Sequence, residues 1–322
     1  MKIASIILYV IAGLLVLTAI SGRLEPGLES AACWSCVAAC VACGYLLQVL
    51  AQKKKSAETE KPASMPDAVE SSLAPGAGSE AVPGLSQWQR VSNTFTAPSK
   101  TFEDIKRGNR SWWMPFIISI LAGYVLFAGI TLKIGWAQVA ENMIHLNPSL
   151  EERLAQAPAA QREGTLKGMQ YGPEIGFAAS PILVLIIVAL GSFVLLGTIN
   201  FIFGGKATFG SIFTVWMYAS LPGIIKALLG AIVIFAGIAP ESFNLNNFAP
   251  TSVGAFLNPL ETNEALYKLA SALDVTTIWT LVLLGIGIAA VAKVKRNAGY
   301  IAVFGWWALI TLIGVGWAAA FS

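Results

Sequence analysis

Charged residues are scarce in this chain, and so are the side chains that most often carry out chemistry. Only 12% of its 322 residues are Asp, Glu, Lys or Arg, whereas a soluble domain carries about 25%. The chain has one histidine and four cysteines, and its net charge is +3. A charge this small does not indicate nucleic-acid binding. These shortages argue against a soluble protein, a nucleic-acid partner, a metal site, a cofactor and an enzyme.

Long apolar runs take the place of charge, and 56% of the residues are hydrophobic. A helix needs ~20 apolar residues to cross the ~30 Å hydrocarbon core of a bilayer. The qualifying runs are residues 3–20, 31–51, 112–132, 175–203, 209–238, 275–292 and 300–321. Because backbone groups in lipid must be satisfied within each segment, we expect helices. The predicted fold class is an all-α polytopic membrane protein with seven transmembrane helices.

The distribution of lysine and arginine predicts how these helices are oriented. With the amino terminus in the cytoplasm, most basic residues fall on the cytoplasmic side, as the positive-inside rule requires. We therefore predict that residues 52–111 are cytoplasmic and that the carboxyl terminus is outside. Residues 1–20 are interpreted as an uncleaved anchor, since their apolar run is longer than that of most signal peptides. A cleaved signal peptide is the alternative.

Composition divides the chain into three parts. Residues 1–51 form a predicted two-helix membrane hairpin, and residues 52–94 are rich in Ala, Ser, Pro, Glu and Gly. Such a segment buries too little apolar surface to offset the entropy of ordering, so we predict a disordered cytoplasmic linker. Residues 95–322 then form the main domain, with an interfacial helix and five transmembrane helices.

A charged, amphipathic segment precedes the third apolar run. Its predicted interface or docking residues are Phe102, Ile105, Lys106, Arg107, Trp112 and Trp113. Cations and indoles of this kind collect at the headgroups of a bilayer. We therefore predict a helix along the cytoplasmic interface. It serves either as a plain passage into the membrane or as a docking surface for a protein partner.

One cation, Lys226, falls inside an apolar run. Residues 209–238 make ~45 Å of helix, which overshoots the hydrocarbon core, and Pro222 near the middle predicts a break. A buried cation in a broken helix can mark a substrate or ion pathway. Lys226 also lies close enough to the outer surface to snorkel, which is a structural role. Glu174 and Asp274 are its predicted partners, and Asp274 is equally suited to cap a helix.

Two long segments are predicted on the outer side of the membrane. Within residues 137–172, Pro148 followed by acidic residues is typical of a helix start, so we expect one or two short amphipathic helices. Residues 239–268 form a long polar loop, which is a candidate lid.

The cysteines lie at a spacing that invites a metal or redox interpretation. They are Cys33, Cys36, Cys40 and Cys43. In a helix these positions form one stripe ~15 Å long, so four thiolates cannot converge on one tetrahedral ion. We interpret the stripe as a close-packing face, with disulfide or redox chemistry as the alternative.

Several segments together resemble a known membrane family. Residues 97–106 with 111–116, residues 207–210 leading into 218–222, and residues 272–274 leading into 278–287 resemble the Yip domain in its bacterial form. The resemblance implies a five-helix membrane domain with a cytoplasmic amino-terminal arm, located in a bacterial inner membrane. Its eukaryotic relatives are linked to Rab GTPases, vesicle traffic and membrane shaping. It brings no catalytic residue, and the hairpin at residues 1–51 has no counterpart in it.

Two functions remain open on the sequence. The first is a non-enzymatic membrane scaffold or trafficking-like factor that contacts the lipid bilayer and a protein partner, as a monomer or a homo-oligomer. The second is a transporter of small solutes or lipids that uses the broken helix around Pro222 and Lys226. No catalytic residue is assigned, because the apolar runs hold almost no titratable side chains.

Overall fold

The computed structural model describes residues 84–321, which belong to a compact unit beginning at Gly84. The predicted hairpin with its cysteines lies outside the described residues, as does the predicted linker up to residue 83. Their assignments stay predictions.

All regular elements of the described residues are helical. The α-helices are Gln87–Thr96 (α1), Pro98–Lys106 (α2), Trp113–Gly129 (α3), Trp136–His145 (α4), Pro148–Ala155 (α5), Ala159–Ala178 (α6), Ser180–Gly197 (α7), Phe209–Ala219 (α8), Pro222–Phe235 (α9), Glu264–Ala272 (α10), Val275–Ala292 (α11) and Arg296–Phe321 (α12). Single π-helical turns extend α3 to Ile134 and α7 to Ile202. Short 3-10 turns at Pro240–Ser242, Leu245–Asn247 and Val253–Phe256 lie in the loop before α10.

Five helical stretches are long and apolar enough to cross a membrane. They are Trp113–Ile134, Ser180–Ile202, Phe209–Phe235, Val275–Ala292 and Arg296–Ala320. These stretches overlap the five apolar runs predicted after residue 95, so the helical, membrane-spanning character of this part of the chain is confirmed. The two further spans predicted before residue 52 lie outside the described residues, and a total of seven stays a prediction.

The span formed by α8 and α9 lies at the centre of the bundle. It packs against α3, α7 and α11, and α11 packs in turn against α12. The peripheral helices α7 and α12 expose large apolar side chains such as Phe193 and Ile310, which are 67% and 65% exposed. A helix that is apolar on every side is typical of a membrane span, where acyl chains cover the outward face.

The bundle has two ends of different construction. The α2 end consists of α1, α2 and the turns at residues 203–208 and 293–295. A hydrogen bond from Lys206 N to Ala292 O joins the first turn to the end of α11. The loop end consists of α4–α6, the loop at residues 236–263 and α10. The sequence predicts that the α2 end is cytoplasmic.

The folded unit begins earlier than the sequence predicts. Ser86 caps α1, because its hydroxyl accepts from the N–H of Gln89 while the Gln89 side chain accepts from the N–H of Ser86. Residues 87–94, which composition assigns to a disordered linker, are therefore helical. Composition fails here because this polar helix is stabilised by burying Arg90 and Thr94 against the bundle.

The segment between α3 and α7 contains the expected short helices, α4 and α5. It also contains the longer helix α6, which reaches Ala178, so the span predicted to begin at residue 175 begins at Ser180. Pro181 lies in the first turn of α7. Proline suits this position because the first N–H groups of a helix have no partner within the helix. A new helix therefore starts at that point.

Candidate functional site

The break predicted at Pro222 is present between α8 and α9. The first helix ends at Ala219 and the second begins at Pro222, so Ser220 and Leu221 form the joint. Proline suits the first turn of a helix, where its missing N–H needs no partner. Pro222 thus starts the second half of the span rather than kinking a continuous helix.

Lys226 lies one turn into α9 and pairs with Asp274. The Nζ atom of Lys226 is 2.9 Å from Oδ2 of Asp274. The carboxylate side chain is 3% exposed and the lysine side chain 22% exposed. The predicted pairing is therefore present, and the charge of Lys226 is neutralised within the protein.

Asp274 fills both of the roles that the sequence offered as alternatives. Its Oδ1 caps α11 by accepting from the backbone N–H groups of Thr276 at 2.8 Å and Thr277 at 3.0 Å. Its Oδ2 binds Lys226 and accepts from the hydroxyl of Thr251 at 2.6 Å. Burial raises the pKa of this carboxyl group, but the hydrogen bonds from the threonines and Lys226 outweigh burial and lower its pKa well below the ordinary value. The carboxylate is therefore held in its ionised form.

The loop before α10 is fastened beside this pair. Ser252 forms an antiparallel bridge with Asp274, and the N–H of Val275 donates to the carbonyl of Thr251 at 2.9 Å. The loop therefore shares main-chain hydrogen bonds with the start of α11, and movement of the loop would break them.

Phe248 holds the same loop against α9. Its ring centroid is 5.3 Å from Nζ of Lys226. A Cβ atom built at Gly230 would lie 2.4 Å from this ring, so the ring lies against the helix only because residue 230 has no side chain. In this structure the predicted lid is docked on the bundle.

A second anchor ties the loop to α4. The side-chain amide of Asn142 donates to the carbonyls of Pro240 at 2.7 Å and Phe243 at 2.9 Å. Asn142 is buried, so these bonds satisfy polar groups that are cut off from water.

At the α2 end, Phe102 and Ile105 are buried in the core rather than exposed on the interface. They are 0% and 1% exposed. A Cβ atom at Gly287 would lie 2.9 Å from the ring of Phe102, so this ring lies directly against the backbone of α11. The expectation that these two side chains face lipid or a partner is corrected: the apolar face of α2 is covered by the protein's own helices.

The remaining predicted docking residues lie outside this core. Lys106 and Arg107 are exposed, and Trp112 and Trp113 are half-buried. The ring of Trp112 meets the ring of Phe213 edge-on at 5.2 Å. Trp112 therefore helps to hold the start of α3 against α8, and the docking role of the four residues stays a prediction.

Arg90 forms a buried ion pair with Asp104 at this end. Its Nε atom is 3.4 Å from Oδ2 of Asp104, and the two side chains are 2% and 4% exposed. The guanidinium also donates to the carbonyls of Asn109 at 3.4 Å and Ser111 at 3.2 Å. One arginine thus links α1, α2 and the turn before α3.

Tyr218 connects this pair to the central span. Its hydroxyl donates to Oε1 of Gln87 at 2.8 Å, and the guanidinium carbon of Arg90 is 5.5 Å from its ring centroid. Tyr218 lies in α8 and is fully buried. The polar cluster therefore joins the amino-terminal helices to the half of the span that precedes the break.

A family model for the Yip1 domain matches residues 92–318, well over half of the chain. This chain belongs to the Yip1 domain family. No curated protein and no solved structure matches it. The resemblance to the Yip domain inferred from the sequence is confirmed, and its bacterial form stays a prediction. The match contains both halves of the broken span and the whole Lys226–Asp274 pair.

Arg90 lies just before the matched part of the Yip1 domain, and sequence reasoning missed it. Composition assigns it to the predicted linker, because the surrounding residues are polar. The local signal that identifies α1 is the spacing of Ser86 and Gln89, which is that of a capping box. No local signal identifies Asp104 as the partner of Arg90.

Glu174, the remaining predicted member of the site in the Yip1 domain, lies in α6 and is buried. Its contribution to the site stays a prediction. Among the described residues, no group of three or more His, Cys, Asp or Glu side chains is arranged to hold a metal ion.

Proposed function

We propose that this Yip1-family protein is a non-enzymatic membrane scaffold, located in a bacterial inner membrane with its α2 end in the cytoplasm. The observation that carries the proposal is the position of α2. Phe102 inserts between α8 and α11, where it lies against Gly287 and Val215. A helix seated in this way makes the α2 end a rigid platform.

The construction of the loop end supports the same proposal. A transporter must open a path on each side of the membrane in turn. Here Lys226 is neutralised by Asp274, and the loop that carries Phe248 is bonded to the start of α11. Opening would require breaking a buried ion pair, which is expensive unless both charges regain water.

A scaffold needs an outward face, and α1 and α2 provide one. Trp88 is 68% exposed, and Lys106 and Arg107 are exposed on the same pair of helices. An exposed aromatic side chain and exposed cations on one pair of helices suit a protein partner with an acidic surface. Anchoring of α1 by Arg90 keeps Trp88 in a fixed position.

Site-specific photocrosslinking in cells tests this face. A photoreactive amino acid replaces Trp88, and a matched control carries it at Phe256, which is 77% exposed at the loop end. We expect a discrete protein adduct from position 88 and none from position 256. Adducts to lipid alone at position 88 would remove the support for a protein partner.

A test of the predicted linker must leave residues 84–111 intact, since residues from Gly84 onward belong to the folded unit. Replacing residues 52–83 by a Gly/Ser segment of equal length leaves that unit complete. If residues 84–111 hold the partner, the adduct from position 88 persists in this variant. Loss of this adduct would indicate that the partner binds the linker instead.

The transporter remains the second candidate, and the break at Ser220 and Leu221 beside a buried ion pair favours it. Proteoliposomes containing the full chain would be assayed for solute and lipid flux, with Lys226→Met as the test variant. Lys268→Met removes an exposed cation from the same end and is the matched control. Flux that disappears in Lys226→Met and persists in Lys268→Met would replace the scaffold proposal.

A further inference from the structure

A cavity of about 230 Å³ opens at the α2 end, between α2 and the turn that joins α11 to α12. Three cations line it: Lys106 from α2, Lys293 from the turn and Arg296 from the start of α12. The scaffold proposal uses Lys106 as part of its outward face, but neither the scaffold nor the transporter proposal uses the cavity itself.

The charge of the cavity is only partly compensated. Glu103 also lines it and pairs with Lys106 at 3.2 Å. Within residues 84–321, the ion pairs of the structure include none from Lys293 or Arg296. Two cations therefore face the same small space without a carboxylate partner from this part of the chain, which favours an anionic ligand.

The position of the cavity indicates where such an anion would come from. Lys293 directly follows one candidate membrane span, and Arg296 begins the next. The cavity therefore lies where hydrocarbon gives way to headgroups. Its wall includes Ile286 and Val294, so an apolar surface is in place beside the cations. A phospholipid presents this same combination of an anionic phosphate and an apolar tail.

The backbone of Lys293 provides an independent observation. Among the described residues it is the one non-glycine residue with positive φ, at 57°. This left-handed conformation at the end of a helix usually belongs to glycine, because a side chain there costs about 1–2 kcal/mol. Lys293 adopts this conformation despite the cost, and its side chain lines the cavity.

The carbonyl groups at the end of α11 could repel an anion here, but they already accept hydrogen bonds. The carbonyl of Ala292 accepts from the N–H of Lys206, and the carbonyl of Ala289 accepts from the N–H of Val294. With these carbonyls partnered, the exposed cations dominate the local charge.

We propose that this cavity binds the phosphate group of an anionic lipid, with Lys293 and Arg296 as the phosphate ligands and Lys106 at the rim. Arg296 offers two parallel N–H donors to phosphate oxygens, and Lys293 offers a point charge. The site would tether the α2 end to anionic headgroups.

The test is a binding titration of the purified full chain in neutral detergent at low salt. Three soluble probes are compared by calorimetry: dihexanoyl phosphatidate, dihexanoyl phosphatidylcholine and inorganic phosphate. We expect saturable binding of phosphatidate only. If inorganic phosphate binds as tightly as phosphatidate, the lipid assignment is overturned. If phosphatidylcholine binds as tightly as phosphatidate, the ligand does not need a net negative charge.

Matched variants locate the binding. Lys293→Gln is expected to weaken phosphatidate binding about fivefold, and the double change with Arg296→Gln about twentyfold or more, at the usual strength of one cation near an anionic surface. Lys295→Gln removes the same charge from the same turn without lining the cavity, and should leave the affinity within about twofold. Equal losses in Lys293→Gln and Lys295→Gln would show diffuse attraction and overturn the site.

A further variant separates binding from folding. Lys293→Gly relieves the left-handed backbone, so its thermal midpoint without lipid should equal or exceed that of the natural chain. Its affinity for phosphatidate should nevertheless fall as far as that of Lys293→Gln. Unchanged affinity in Lys293→Gly would show that Lys293 is a structural cap only and would overturn its assignment as a ligand.

Discussion

Each end of the bundle buries an ion pair, and the two pairs are built differently. At the α2 end, Arg90 and Asp104 are both almost fully buried, at 2% and 4% exposed. At the loop end, Asp274 is equally buried, but its partner Lys226 retains 22% exposure. A lysine that is partly exposed can turn its ammonium group to water if it loses its partner, whereas a buried arginine cannot.

The two ion pairs also connect different elements of the fold. Arg90 bonds to backbone carbonyls of the turn before α3, so its pair fixes α1 and α2 to the bundle. The Lys226–Asp274 pair links two spans and the loop that lies over them. The comparison indicates that the α2 end is fastened more tightly than the loop end. This division suits a platform whose outward face must stay fixed.

Removing the carboxylate at the α2 end should have the largest effect. Asp104→Ala leaves Arg90 buried without its counter-charge, and we expect the free energy of unfolding to fall by about 3–5 kcal/mol. Thermal or denaturant unfolding of the purified protein in detergent measures it. Glu103→Ala is the matched control, because its ion pair with Lys106 is exposed and should contribute less than about 1 kcal/mol. Similar losses in both variants would refute the fastening role of Arg90.

Replacing by alanine the glycines that lie against aromatic rings at the two ends should have the next largest effect. Gly287→Ala pushes a methyl group toward Phe102 and Val215 in the core and should cost about 1–3 kcal/mol. Gly230→Ala meets Phe248, which lies on the loop and can move, so we expect a smaller loss of stability.

Gly123→Ala is the control for these glycine changes. A Cβ atom there meets nothing within 4 Å, so the change should stabilise its helix by about 0.5–1 kcal/mol. Unfolding of the three variants is followed side by side. A greater loss in Gly230→Ala than in Gly287→Ala would reverse the order of rigidity assigned to the two ends.

Removing the charge at the loop end should have a moderate effect. Asp274→Asn keeps an oxygen for the cap of α11 but loses the ion pair, and we expect a loss of about 1–2 kcal/mol. Asp274→Ala also loses the cap and should cost more. Limited proteolysis of the 236–263 loop provides a second measurement, with faster cleavage expected in Asp274→Asn. Cleavage at the natural rate would contradict the view that this pair holds the loop.

Acidification should have the smallest effect, a slight loss of the stability that Asp274 contributes at the loop end. The pKa of Asp274 is lowered in the folded protein, so its contribution to stability is complete above the pKa of about 3.9 in the unfolded chain and is lost as the pH falls. Between pH 5 and pH 4 the loss should be below about 0.5 kcal/mol. Because other carboxyl groups also titrate, the measurement is the difference between the natural chain and Asp274→Asn. A difference that grows on acidification would have the wrong sign.

Part of the candidate site was predictable from the sequence because its signals are local. Pro222 marks the break, since proline cannot continue a helix without losing a hydrogen bond. Asp274 directly precedes an apolar run, which is the position of a cap. The pairing of Lys226 with Asp274 followed from both being placed near the same surface. The burial of Phe102 was not predictable, because an amphipathic helix has the same pattern whether its apolar face meets lipid or protein.

The sequence by itself determined that this chain enters a membrane, where its five later spans lie, and that it belongs with Yip domains. Those properties depend on the length of apolar runs, on caps and on short motifs, which are all local. Tertiary structure alone decided that Arg90 belongs to the fold, that α2 is seated against Gly287, and that Lys293 and Arg296 line a cavity together with Lys106 of α2. Each of these depends on contacts between segments distant in sequence, and such contacts are fixed only when the whole bundle packs.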